Sequence, residues 1–122
     1  MAAIEVTAYA ASVRTDVPEL VDELRNLLGA QLVAYLAGVK ETRAVRQWAE
    51  GRNPQPRQEQ RLRVAFRVTK LLLERDRPRV VQAWFQGMNP QLDDVSPARF
   101  ILETDGADPR VIAAAQAFAA NG

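Results

Sequence analysis

Apolar residues in this chain recur three and four positions apart, and glycine or proline interrupts each run before any strand-like alternation can develop. That spacing lines one face of an α-helix, which turns once in about 3.6 residues. Val17, Leu20, Val21, Leu24, Leu27 and Leu28 form the first stripe, opened by Thr15 or Asp16 as cap with Pro18 in the first turn and stopped by Gly29. A second helix is predicted over 30–37, burying Leu32, Val33 and Leu36, and a third over 42–50, burying Val45, Trp48 and Ala49. Two prolines in the loop Arg52-Asn53-Pro54-Gln55-Pro56 then block helix propagation, because each lacks an amide hydrogen and disfavours helical geometry in the residue before it.

The longest predicted helix follows over 57–75, with Leu62, Ala65, Phe66, Thr69, Leu72 and Leu73 inward and Arg57, Arg61, Arg63, Arg67 and Lys70 largely outward. After a break at Asp76–Pro78, Val80, Val81, Trp84 and Phe85 mark a short apolar helix stopped by Gly87. Ser96-Pro97 and Asp108-Pro109 each set a capping side chain before a first-turn proline, which predicts helices near 97–103 and 109–120. Residues 1–14 carry no strong period and are expected to be a flexible N-terminal arm. The predicted fold is therefore all-α, with a helix-turn-helix domain over 15–77 and a small helical partner-binding domain over 78–122.

With neither cysteine nor histidine in the chain, disulfides, thiolate zinc sites and imidazole ligands are excluded, and stability must come from apolar packing. No cofactor or metal site is expected. Ser12 and Ser96 have no activating partner in a motif, and the Asp93-Asp94 pair in a turn is a solvated loop or cap more often than a cation site. Binding is a better expectation than catalysis. No apolar stretch approaches the roughly 18–20 residues that span a bilayer, and the first residues carry Glu5 without a basic run, so a cytoplasmic chain is expected.

The net charge of +1 conceals a strong asymmetry. Residues 40–70 hold nine Lys or Arg against Glu41, Glu50 and Glu59, a local excess of +6, whereas the flanking segments are neutral or acidic. Such a concentration is the footprint of an anion-binding surface. Within it, residues 31–51 have the spacing of a helix, a turn at Gly38 and a second short helix, the arrangement of helix-turn-helix DNA readers. Ala34 is small where the helices must cross, and Val39, Val45 and Trp48 lock one onto the other. The remaining face offers Arg43, Arg46 and Gln47, side chains that pair with guanine and adenine edges, while Lys40, Arg52, Arg57 and Arg61 flank it as phosphate clamps. A plain solvated basic face on a helical bundle is the competing reading.

The order of parts, more than any single motif, resembles a known family. LVAYLAGVKETRAVRQWAEGRNPQP followed by RLRVAFRV, then Ala83-Trp84, the turn Asn89-Pro90-Gln91-Leu92 and Ser96-Pro97, is similar to the Xre/MbcA/ParS antitoxins, which pair with toxins carrying a RES domain. The resemblance spans about residues 20–120. It implies a cytoplasmic antitoxin that represses its own operon and silences an NAD-degrading toxin by occluding the toxin's active site, in a hetero-oligomer or as a homodimer. On that resemblance, toxin contact falls on Trp84, Phe85, Asn89, Pro90, Leu92, Phe118, Asn121 and Gly122. Two other readings compete: a stand-alone repressor whose C-terminal half only dimerises it, and a structural adaptor whose helix-turn-helix no longer touches DNA. Trp84 and Phe85 also suit a local core, and truncation after Arg77 is expected to spare the DNA surface.

Trp48 stands three residues after Val45 on the predicted inward face, so Trp48→Ala is expected to destabilise the chain by about 3–5 kcal/mol, the cost of emptying a large aromatic from a core. Thermal melting checks it. An unchanged melting temperature with lost DNA binding would place Trp48 on the surface instead.

Overall fold

The computed structural model describes residues 2–121, with side chains described from residue 6 onward, and the chain is all-α. Eight α-helices occupy the described residues: α1 (Ala2–Arg14), α2 (Val17–Leu28), α3 (Ala30–Ala37), α4 (Thr42–Ala49), α5 (Pro56–Leu73), α6 (Pro78–Gln86), α7 (Pro97–Thr104) and α8 (Arg110–Asn121). A 3-10 turn over Pro90–Leu92 links α6 to α7, and Asn89 and Val95 face each other there in an isolated bridge. Among the described residues no helix is long and apolar enough to cross a membrane.

The centre of the fold is α5, which packs against α1, α2, α3, α6, α7 and α8. Its sequence permits this because Leu62, Ala65, Phe66, Val68, Thr69, Leu71 and Leu72 are all buried, a wider band than one stripe. A capping box begins it: the Gln55 amide donates to Gln58 Oε1 at 2.8 Å, with Pro56 supplying the first-turn geometry. Around this helix Leu20, Val21 and Leu24 of α2, Val33 and Leu36 of α3, Val45 and Trp48 of α4, Phe85 of α6 and Ile101 of α7 complete a single apolar core. Trp48 is 4% exposed, in keeping with its predicted inward direction.

Four sequence expectations are revised. Residues 2–14, expected as a flexible arm, are helical and lie along α5, because Ala8 and Ser12 are small enough to let the two helices approach. The α5 cations expected outward are mostly half-buried, as Arg61, Arg63, Arg67 and Lys70 each find a partner on another element. Asp16 stands at the α2 cap as predicted, yet its side chain makes no capping bond, and Pro18 supplies the helix start instead. Packing also continues unbroken across residue 78: α6 sits on α2 and α5, α7 on α3 and α5, and α8 on α5. Gln82 Nε2 bonds the Leu27 carbonyl at 2.7 Å, and Arg75 bonds the Ala119 carbonyl, so polar ties cross the same boundary.

This continuity changes the outcome expected of a truncation. Removing 78–122 would uncover apolar faces of α2, α3 and α5 together, and exposed apolar surface costs about 25 cal/mol per Å². The fragment 1–77 is therefore expected to lack a cooperative thermal transition, where the whole chain has one. A fragment melting as sharply as the full chain would show the first five helices to be self-sufficient.

Candidate nucleic-acid interface

A four-residue turn, Gly38 to Glu41, joins α3 to α4, and its first residue ends α3 in the left-handed conformation at φ 88°. The Gly38 amide bonds the Tyr35 carbonyl and the Val39 amide bonds the Ala34 carbonyl at 2.9 Å, the paired pattern that satisfies the last carbonyls of a helix. A side chain at this position would also displace the ends of two neighbours. A Cβ at Gly38 would lie 2.6 Å from Arg61 Nη1 and 3.0 Å from Leu102 Cδ1.

α4 packs its Val45 and Trp48 side onto α2 and α3 and leaves the opposite side open. Arg43 and Arg46 are exposed on that open side, with Lys40 exposed in the turn before it and Arg52 exposed after it. Among the described residues Lys40, Arg43 and Arg46 have no ion pair. Gln47 is half-buried and its Oε1 accepts a bond from Arg52 at 3.2 Å, which orients the amide and leaves its NH₂ group to donate outward. Glu50, the residue capping α4, is exposed beside them.

Two of the sequence-predicted phosphate clamps sit differently. The Arg61 side chain is only 13% exposed; its Nη1 donates to the Ala37 carbonyl at 2.8 Å and its Nη2 to Asp105 at 2.6 Å. Arg57 remains exposed but is forked onto the same Asp105 carboxylate through Nε and Nη2. Further along α5, Arg63 holds Glu59 and the Ser12 and Thr15 carbonyls, Arg67 lies 5.1 Å from the Tyr9 ring centroid, and Lys70 pairs with Glu23. Five of the nine cations of residues 40–70 thus brace the fold, and the open set contracts to Lys40, Arg43, Arg46 and Arg52.

Alongside that set, Gln31, Tyr35, Lys40, Glu41 and Thr42 line a shallow groove between the start of α3 and the start of α4. Sequence reasoning passed over Gln31, Tyr35 and Thr42. Their signal was weak: Tyr35 follows Gln31 by one helical turn, and a large aromatic on an otherwise apolar helix looks like core, although it is 43% exposed here.

The residues assigned to a protein partner divide in two. Trp84, Phe85 and Leu92 are buried, Trp84 packing edge-on to Phe85 and tilted against Phe118 at 6.4 Å between ring centroids. Their apolar surface lies in the core. Asn89 is half-buried and uses its side chain to accept from the Gln91 amide, while Pro90 is exposed, Phe118 half-buried and Asn121 exposed. Gly122 lies outside the described residues. The Trp84 indole N–H is buried and has no acceptor among the described residues. Among these residues there is also no grouping of acids that would hold a metal ion.

Comparison with protein-family models, with curated proteins and with solved structures gives no match.

Bonding to Arg61 above all holds the Asp105 carboxyl below its ordinary range; desolvation opposes it, and the bond to Arg57 adds to the lowering. A carboxylate with a depressed folded-state pKa stabilises the fold above its unfolded pKa and loses that contribution as pH falls through the folded value. Asp105→Asn is therefore expected to melt below wild type throughout the neutral range, with the gap closing only as pH drops well under about 4. Melting curves across that range decide it, and a gap independent of pH would remove the charge from the explanation.

Proposed function

We propose that this chain is a binding protein that holds duplex DNA on the open side of α4 and a protein partner elsewhere, acting as the antitoxin of a RES-domain toxin in the cytoplasm. The observation carrying the DNA half is that, among the described residues, Arg43 and Arg46 stand unpaired on a helix whose other side is fixed by Val45 and Trp48, with Lys40 unpaired in the turn before it. An α-helix so mounted fits the width of a major groove, where arginine donates twice to guanine and glutamine reads adenine. Gln31 and Thr42, beside Lys40, are suited to phosphate oxygens at the groove edge.

The antitoxin half rests on the resemblance of residues 20–120 to the Xre/MbcA/ParS antitoxins. With Trp84, Phe85 and Leu92 buried, the reading gives the partner contact to Asn89, Pro90, Phe118 and Asn121, together with Gly122 outside the described residues. In this reading the chain works by occupying surfaces, and it performs no reaction of its own.

Arg43→Ala or Arg46→Ala is expected to cost about 1–3 kcal/mol of discrimination at one base position. Lys40→Ala should instead weaken all duplexes alike and flatten the salt dependence. Titration of the upstream promoter region over a salt series checks both, and wild-type behaviour in all three variants removes α4 from the interface. For the partner, the chain is co-expressed with the neighbouring gene. Protection that survives deletion of Phe118 onward would confine the contact to Asn89 and Pro90, and a neighbour that is harmless alone would end the antitoxin reading.

A further inference from the structure

The turn that presents α4 is held from behind by the last third of the chain. Ala37 contributes one of the final carbonyls of α3, which have no partner inside the helix and carry the negative end of its dipole. Arg61 reaches that carbonyl from α5 at 2.8 Å and bridges it to Asp105 at 2.6 Å, in the turn between α7 and α8. Asp105 adopts a left-handed backbone at φ 55° to end α7, so its carboxylate is placed by the end of that helix. Leu102 of α7 closes on Gly38 from the same side. Helix end, guanidinium and acidic turn therefore meet at one point, one residue before the left-handed bend that aims α4.

We propose that Asp105, acting through Arg61, is a positioning residue for the turn between α3 and α4, so that the C-terminal third of the chain sets how α4 meets duplex DNA without touching it. This rests on the DNA-binding reading above. A planar guanidinium is needed because it offers two N–H groups at a fixed angle to two acceptors; an ammonium is a point charge. Arg57 shares the carboxylate yet reaches only Asp105, and it remains 73% exposed, so it neutralises the site without holding the turn.

A simpler electrostatic role makes the opposite prediction. Were Asp105 only an anion near a basic surface, its removal would add a positive charge and tighten binding to any duplex. The test uses the full chain and a duplex that the wild type enriches from a random-sequence pool, at a temperature where circular dichroism shows every variant folded. Asp105→Asn removes the charge and keeps a residue that tolerates left-handed backbone. Glu23→Gln makes the same charge change at the Lys70 pair, away from the turn. Arg61→Lys keeps the charge and loses the two-acceptor bridge.

Glu23→Gln is expected to bind at least as tightly as wild type, whereas Asp105→Asn and Arg61→Lys each bind about fivefold or more weakly. Either of those two, folded and binding as tightly as wild type or tighter, overturns the proposal, and equal weakening in Glu23→Gln overturns it as well. Enrichment of no duplex by the wild type would instead remove the DNA-binding reading, and this proposal with it.

Discussion

Burial of α5 on nearly every side is the constraint from which the rest of this structure follows. Phe66, Leu62 and Leu72 are fully buried, and six other helices take their places by covering them. A chain without cysteine has no disulfide to staple it, so burial of this kind carries much of its stability. One long central helix with short ones around it supplies a core in which no peripheral element needs much apolar surface of its own. Alanine-rich α8 illustrates this: it buries Val111, Ala114 and Ala115 fully, with Ile112, Phe118 and Ala119 packed partly against the core.

The same burial dictates what happens to the charges on α5. Its Arg61, Arg63, Arg67 and Lys70 cannot all reach water while neighbours crowd the helix on both flanks. Their long aliphatic stems lie along the apolar surface, and their heads find carbonyls, carboxylates or an aromatic face at the rim. Buried or half-buried cations without such partners would be costly, so each one takes a particular partner elsewhere in the chain, an aromatic ring in the case of Arg67. The cations thereby become struts that tie α1, α2, the end of α3 and the α7–α8 turn to the centre.

The cations of α4 lie outside this arrangement. The helix packs chiefly on α2 and α3, through Val45 and Trp48, and so keeps an open side on which Arg43 and Arg46 stand without carboxylate partners among the described residues. Being short and peripheral, it depends for its direction on the turn before it. That turn is shaped by Gly38 and closed from behind by Arg61, a residue of another helix held by an acid 44 positions further along the chain. The surface best suited to meet a ligand is thus aimed by contacts remote from it.

Helix positions were legible in the sequence because their causes are local. Apolar spacing, the stops at Gly29, Gly38 and Gly87, and prolines at 18, 56, 78 and 97 act within a few residues, and the predicted boundaries from α2 to α8 agree with the structure to within about two residues. The inward direction of Trp48 and the open side of α4 belong to the same category. The helix at residues 2–14 did not, because its packing on α5 depends on small residues meeting a distant surface. Nor did the division of the nine cations into four left open and five that bond to or stack on other parts of the chain. Spacing puts Arg57 and Arg61 on one face of a helix, but Asp105 reaches them only after α7 has folded back against α3 and α5. Local propensity acts over a turn of helix, whereas a side chain's partner is chosen by whatever the folded chain brings within hydrogen-bonding distance.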